Sequence, residues 1–193
     1  MKRTIFLIFV LFTFSAFADE RGEQRLERIS RHYSAMGSYM LEFALNAGGV
    51  KQSGVLQVEG NNSYLKLADT ELFVADSVRY EVRSAAKEIV IDRADAYEKE
   101  LLNPLNGFSG VTTNYIVEEC ELDGNISVRL TPKQSGDIVY IVTGADGESI
   151  EKVQYGTGEN RFEVAVVQSK KTAQKLPVFS KERYKGFEII DFR

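Results

Sequence analysis

The stretch "LFVADSVRYEVRSAAKEIVI" (Leu72–Ile91) alternates between apolar and polar residues. Val78, Tyr80 and Val82 fall on one side of an extended chain, and the arginine and glutamate residues between them fall on the other. A period of two predicts β-strands with one apolar and one polar face. The short polar breaks inside the stretch predict that neighbouring strands run antiparallel, as a meander.

The same alternation continues on both sides of this stretch. Turn signals at Gly48-Gly49 and Asn61-Asn62 separate earlier strands and give about six strands in the first half of the chain. Turn signals at Asp123-Gly124 and Asp146-Gly147 separate about five more strands in the second half. The tail "LPVFSKERYKGFEIIDFR" (residues 176–193) is predicted to lie extended along an edge of the sheet.

Two segments break the period of two. In "ERGEQRLERISRHYSAMGSY" (residues 20–39), Leu26, Ile29 and Tyr33 have helical spacing, and Gly37 predicts the end of the helix. In "RADAYEKELLNPLNGFSG" (residues 93–110), apolar residues at roughly helical spacing predict one or two short helices broken at Pro104.

These elements together predict a mainly β fold of the α+β class. A long antiparallel meander must bury its apolar face, and only a few helical segments are present to cover it. We therefore expect a curved antiparallel sheet that forms an incomplete β-barrel of about 11 strands. The N-terminal helix and the short middle helices would form a lid over the concave face.

The first 18 residues have the pattern of a secretory signal peptide. Lys2 and Arg3 precede an apolar run from Ile5 to Phe14, and Ala16-Phe17-Ala18 provides a small-x-small cleavage site. We expect cleavage after Ala18, which leaves one domain of residues 19–193. In a Gram-negative bacterium, the product would be periplasmic.

The charge of the chain argues against a nucleic-acid partner. The whole chain has 24 basic and 28 acidic residues, for a net charge of −4, and removal of the two N-terminal basic residues takes it to −6. Nucleic-acid binders need a basic stripe instead. A single cysteine also cannot form a disulfide within the chain, so packing alone must hold the fold.

The sequence contains no recognisable catalytic or metal-binding motif. His32 is the only histidine and lies in the predicted helix, and Cys120 alternates in phase with Glu118, which places it on the more polar side of its strand. Glu119 and Glu121 would raise the pKa of the thiol of Cys120. We therefore expect no enzyme activity, no metal and no cofactor.

The remaining candidate for a functional site is the alternating apolar face itself. It includes Val128, Leu130 and Tyr140 and would form a pocket under the lid.

Several short motifs occur in the order found in a known family. They are "YSAMGSYMLEF" (33–43), "SGVLQVEGNNSYLKL" (53–67), "LFVADSVRYEV" (72–82), "VRLTPK" (128–133), "GADGESIEKVQY" (144–155) and "VFSKERYKGFEIID" (178–191). In these motifs the chain resembles the LolA-like family of periplasmic outer-membrane lipoprotein carriers, of the Bacteroidetes type. The resemblance covers nearly all of residues 19–193.

The resemblance implies a monomeric carrier without catalysis. Its cavity would receive the acyl chains of a lipoprotein, or another lipid, from an inner-membrane release complex and deliver them to an outer-membrane acceptor. By position in the family pattern, the residues that would line the cavity are Phe43, Leu65, Leu67, Tyr80 and Val82. The residues that would line the lid are Leu101, Leu102, Leu105 and Phe108.

The chain departs from the family pattern at three places. Glu59-Gly60-Asn61 stands where proteobacterial members have a basic pair whose arginine latches the lid, so Lys66 is the candidate replacement. Tyr80 is nearest to a missing tryptophan, and Asp76-Ser77 replaces a common Asp-Gly turn. Two alternatives remain: a LolA-like sensor or regulator that binds lipid or unfolded outer-membrane protein, and an enzyme on the same scaffold.

Overall fold

The structure, a computed structural model, describes residues 17–94, 109–156 and 161–193. Two α-helices and a 3₁₀ helix are present in these ranges, together with twelve β-strands. The helices are α1 (Phe17–Met36), α2 (Ser109–Asn114) and the 3₁₀ helix (Lys181–Tyr184). The strands are β1 (Ser38–Ala47), β2 (Val50–Glu59), β3 (Asn62–Leu67), β4 (Thr70–Ala75), β5 (Val78–Arg83), β6 (Glu88–Arg93), β7 (Tyr115–Leu122), β8 (Asn125–Pro132), β9 (Val139–Thr143), β10 (Ile150–Tyr155), β11 (Phe162–Lys171) and β12 (Glu188–Asp191).

All twelve strands belong to one curved sheet that does not close. The order across the sheet is β12-β6-β5-β4-β3-β2-β1-β11-β10-β9-β8-β7. The chain winds outward from β1 to β6, continues at the opposite edge with β7, and winds back until β11 pairs with β1. The predicted incomplete barrel is confirmed. The twelfth strand comes from the C-terminal tail, where β12 pairs in parallel with β6 at the sheet edge.

Helix α1 covers one side of the sheet at strands β7 and β8. Leu26, Ile29 and Tyr33 are buried along its inner face, and the helix ends before Gly37, whose φ of +73° suits glycine. Gly22 lets the helix approach closely, because a Cβ there would come within 2.9 Å of the Glu118 backbone. Within the described ranges, no helix combines the length and the apolar character needed to cross a bilayer.

Other parts of the chain pack on both faces of the sheet. The pairing of residues between neighbouring strands shows which face each side chain is on. Directly paired residues of antiparallel strands point to the same side of a sheet. We call the side that α1 contacts the helix face; it includes Leu41, Leu56 and Leu65, which are paired in a row. The opposite side, here called the outer face, includes Tyr64, Phe73 and the residues paired with them.

The C-terminal segment covers part of the outer face. Phe179 stacks on Tyr80 with ring centroids 4.3 Å apart, and it contacts Phe73 edge-on at 5.9 Å. Tyr184 and Phe187 extend the same cluster toward β6. This segment, residues 176–187, therefore buries a second apolar surface, on the side of the sheet opposite to α1.

Candidate functional site: an apolar cavity on the helix face

A cavity of about 210 Å³ lies on the helix face, beside the area that α1 covers. Five neighbouring strands form its walls: β3, β2, β1, β11 and β10. Its lining residues are Leu41, Phe43, Leu45, Leu56, Leu65, Leu67, Ile150, Val153, Tyr155, Val164 and Val166. Apart from Tyr155, these side chains have no polar atom, so the cavity can bind apolar groups.

A bulge in β11 keeps this strand in phase with the cavity. Glu42 pairs with Gln168 and Phe43 pairs with Val166, so Val167 has no partner on β1. The extra residue reverses the alternation of the strand. As a result, Val164 and Val166 line the cavity, while Val167 is 71% exposed.

Three of the residues predicted to line a cavity do so. Phe43, Leu65 and Leu67 are all in its wall. Val128 and Leu130 are also on the helix face, but they are fully buried in the core cluster beneath α1 and do not reach the cavity. They support the helix instead.

The register places Tyr80 and Val82 on the outer face, which corrects the expected position of these side chains. Tyr80 pairs with Phe73, and Val82 pairs with Glu71. Both therefore belong to the cluster beneath the C-terminal segment. Strand alternation indicates that two residues share a face, but it does not indicate what covers that face.

Tyr140 requires the same correction. It pairs with Arg129, which pairs in turn with Glu118, and this row lies on the outer face. The proposed lid residues Leu101, Leu102, Leu105 and Phe108 lie outside the residues that the structure describes.

The polar residues singled out in the sequence are His32 and Cys120, which lie in α1 and β7. His32 lies in α1 with its Nδ1 3.7 Å from a Glu148 carboxylate oxygen. Burial raises the pKa of the Cys120 thiol, Glu118 and Glu119 raise it further, and Arg129 opposes them. The predicted direction is thus correct, but burial is the largest cause. In residues 17–94, 109–156 and 161–193, no three His, Cys, Asp or Glu residues are grouped so that they could hold a metal ion.

Arg25 anchors α1 to the sheet, which sequence reasoning missed. Its guanidinium lies 2.8 Å from a carboxylate oxygen of Glu119 on β7 and donates to the Gly147 carbonyl oxygen at 3.2 Å. The Arg25 side chain is only 9% exposed. Lys66, the expected latch of the lid, is exposed on the outer face, opposite to α1. The middle segment that it was expected to latch lies outside the described residues. In the sequence, Arg25 is visible only as a basic residue next to Leu26 in an amphipathic helix. That pattern is too common to identify Arg25 as an anchor.

Glu71 holds the C-terminal segment in place. Its carboxylate accepts hydrogen bonds from Tyr64 at 2.9 Å, from Tyr184 at 3.1 Å and from the Arg183 guanidinium at 3.1 Å. Burial, together with the neighbouring carboxylate, raises the pKa of Tyr64 and of Tyr184 to about 12. Both phenols therefore remain protonated donors at neutral pH.

The chain matches no protein-family model and no curated protein sequence. Among solved structures, it is similar to an uncharacterised conserved protein from Thermus thermophilus, with a TM-score of 0.57 and 8% identity over 89% of this chain and 99% of that one. This similarity shows a shared fold.

Two weaker similarities add nothing to that conclusion. One is to the Pseudomonas aeruginosa MucA/MucB complex, with a TM-score of 0.47 and 15% identity over 86% of this chain and 61% of that one. The other is to a putative outer membrane lipoprotein-sorting protein domain from Vibrio parahaemolyticus, with a TM-score of 0.44 and 8% identity over 86% of this chain and 97% of that one.

Proposed function

We propose that this protein is a non-enzymatic periplasmic carrier that shields the acyl chains of a lipoprotein, or another lipid, in the helix-face cavity. The observation that supports it most is the wall of this cavity, in which ten of eleven lining residues are wholly apolar. Burial of each methylene contributes about 0.8 kcal/mol. Acyl chains can therefore bind well without polar contacts.

The size of the cavity sets a condition on this proposal. Pockets for drug-sized ligands typically measure about 300–1,000 Å³, and the cavity here measures about 210 Å³. One short acyl segment suits this volume, whereas the several chains of a lipoprotein need more room. The proposal therefore includes a cavity that widens when ligand enters.

The proposal also covers the cellular setting. Its supports are the signal-peptide pattern of residues 1–18 and the resemblance of the sequence to lipoprotein carriers. The protein acts as a monomer after cleavage and takes its passenger from an inner-membrane release complex to an outer-membrane acceptor.

The experiment expresses the full chain in a Gram-negative host and purifies it from the periplasmic fraction without detergent. Native and lipid mass spectrometry then identify bound molecules. Co-purified acylated lipoprotein supports the carrier function, whereas phospholipid alone redirects it to lipid transport or sensing. An empty protein that fails to bind a fluorescent acyl probe contradicts the proposal.

A matched pair of variants connects binding to the cavity. Leu65→Trp fills the cavity and should reduce affinity for the acyl probe at least tenfold. Val167→Trp adds the same side chain at the exposed bulge of β11 and should leave affinity unchanged. Equal affinity in both variants would place acyl binding elsewhere on the protein.

A further inference from the structure

Basic residues are concentrated in one short stretch of the chain. Residues 170–185 contain six basic residues and one acidic residue, whereas the whole chain has a net charge of −4. The remainder of the chain is therefore strongly acidic. This uneven distribution predicts a basic patch on the surface of the protein.

The structure places most of this charge on the outer face of the sheet. We call residues 175–185, which cross that face, the basic belt. Lys175, Lys181 and Lys185 are exposed, and none of them forms an ion pair with a residue that the structure describes. Arg183 is ion-paired, yet its side chain is still 51% exposed. The belt therefore presents positive charge to the surroundings.

The nearby acidic groups do little to cancel this charge. Glu182 accepts a hydrogen bond from the Ser180 hydroxyl, and the Arg193 guanidinium lies 2.7 Å from a carboxylate oxygen of Asp191. Glu188 pairs with the first residue of β6, and this pairing places it on the helix face, on the other side of the sheet. The lysines of the belt thus keep their charge available to a partner.

An exposed apolar side chain lies in the middle of the belt. Val178 is 78% exposed, whereas its neighbour Phe179 packs inward on Tyr80. The chain is also fixed just before the belt, since the Gln57 side chain on β2 donates to the Gln174 carbonyl oxygen at 2.7 Å. Basic residues around an exposed apolar residue form a surface suited to the interfacial region of a membrane.

The residue types favour a lipid surface over a protein surface as the partner. Protein interfaces are depleted in lysine and enriched in arginine and aromatic residues. Clusters of lysine are instead typical of segments that bind anionic lipids, where each basic residue near the surface increases binding about fivefold. Three lysines therefore provide weak and reversible attachment, which acts over about 8 Å at physiological ionic strength.

We propose that the basic belt attaches the protein to membrane surfaces that contain anionic phospholipid, with Val178 inserted among the lipid headgroups. The sheet separates the belt from the cavity, so attachment leaves the helix face directed away from that membrane. This inference goes beyond the proposed function and does not depend on it, because the belt and the cavity are different surfaces.

The test mixes the protein, purified from the periplasmic fraction, with vesicles of phosphatidylglycerol and phosphatidylcholine in equal parts, or of phosphatidylcholine alone. Sedimentation at about 0.1 M NaCl measures the bound fraction. We expect binding to the anionic vesicles, its loss at about 1 M NaCl, and no binding to the neutral vesicles. Equal binding to both kinds of vesicle overturns the proposal. Binding to neither also overturns it and points to an acidic protein as the partner.

A triple variant shows whether the belt is responsible. Lys175→Gln, Lys181→Gln and Lys185→Gln together should weaken binding to the anionic vesicles by about 100-fold, because each lysine accounts for about fivefold. All three side chains are exposed, so the fold should tolerate these changes.

The matched control removes the same charge from α1, on the other side of the sheet. Arg21→Gln, Arg28→Gln and Arg31→Gln together lower the net charge equally and should leave vesicle binding within about twofold of the wild type. If the two triple variants lose the same affinity, net charge and not the belt governs binding, and the proposal is overturned.

A tryptophan in the belt reports insertion directly, because the chain has no tryptophan of its own. The emission of Val178→Trp should shift to shorter wavelength on anionic vesicles. Val50→Trp, at a residue 60% exposed beside the Gly48-Gly49 turn, should show no shift. An unshifted Val178→Trp spectrum in the bound protein overturns the proposed insertion.

Failure of this inference is distinguishable from failure of the proposed function. The triple lysine variant should bind the fluorescent acyl probe with wild-type affinity, since the cavity is on the helix face. A protein that binds anionic vesicles through the belt but does not bind the probe contradicts only the carrier function. A protein that binds the probe but not the vesicles contradicts only the membrane attachment.

Discussion

The ring of Phe43 on β1 lies across Gly54, its cross-strand partner on β2. A Cβ at position 54 would overlap this ring and would also come within 2.9 Å of the Lys66 carbonyl oxygen. Glycine within a strand often marks a place where another group approaches closely. Here that group is a wall of the cavity, so Gly54 determines the position of Phe43.

Gly54→Ala should therefore displace the Phe43 ring and disturb the cavity. Overpacking of this kind typically costs about 1–3 kcal/mol of the free energy of unfolding, and we expect weaker acyl-probe binding as well. Chemical denaturation and fluorescence titration measure the two effects. Ser53→Ala, at the adjacent exposed residue, is the control. A Gly54→Ala protein with wild-type stability and affinity would show that the ring has room to move.

Arg25→Met should loosen α1 from the sheet. It removes the ion pair with Glu119 and leaves that carboxylate, 24% exposed, without its partner. Loss of one partner of a buried pair costs about 3–5 kcal/mol, and we expect about 2 kcal/mol here because Glu119 retains some contact with water. Thermal unfolding followed by circular dichroism measures this loss.

Arg129→Met is the matched control for this experiment. Arg129 also lies 2.8 Å from a glutamate oxygen, that of Glu118, but its side chain is 41% exposed. Exposed ion pairs contribute about 0–1 kcal/mol. If Arg25→Met and Arg129→Met lower the free energy of unfolding by the same amount, Arg25 does not anchor α1 more strongly than an exposed ion pair would.

Phe179→Ala should destabilise the protein without reducing acyl-probe affinity. The ring stacks on Tyr80 and is half-buried, so we expect a loss of about 2 kcal/mol, below the 3–5 typical of a fully buried phenylalanine. Phe192→Ala, at a residue 66% exposed, should change stability by less than about 0.5 kcal/mol. A large fall in probe affinity in Phe179→Ala would mean that the outer face takes part in binding.

Asp146→Ala should show a pH-dependent loss of stability. The backbone N–H groups of Glu148 and Ser149 donate to the Asp146 carboxylate at 2.9 Å each and hold its pKa below the ordinary 3.8. A carboxyl with a lowered pKa in the folded state stabilises the fold above its unfolded pKa, and this contribution disappears as the pH falls through the folded pKa.

The difference in Tm between wild type and Asp146→Ala should thus be constant from pH 7 to about pH 5 and should shrink below about pH 4. Differential scanning calorimetry at a series of pH values measures it. A difference that stays constant down to pH 3 would show that the carboxylate charge does not stabilise this turn.

The strands were predictable from sequence because each has a period of two between short turns. The hairpin at Gly48-Gly49 and that at Asp123-Gly124 have positive φ at both turn residues, as their sequences predict. Local pattern also predicted the helix around Leu26. These features depend on residues close together in the chain.

The site was predicted less well because its features depend on long-range contacts. Tyr80 and Leu65 both lie in strands with alternating apolar residues. Tyr80 nevertheless packs beneath the C-terminal segment, whereas Leu65 lines the cavity. The bulge at Val167 changes which β11 residues face inward. The contact between Arg25 and Glu119 joins residues 94 positions apart. No local pattern encodes such relationships.

The most direct test of the central claim is to map where an acyl chain sits on the protein. The full chain is irradiated with a fatty acid that carries a diazirine near its chain end, and peptide mass spectrometry locates the cross-links. We predict cross-links in Leu41–Leu45, Leu65–Leu67 and Val164–Val166, and their loss in Leu65→Trp. Cross-links confined to the outer face, around Tyr80 or Tyr140, would contradict the claim that the helix-face cavity binds acyl chains.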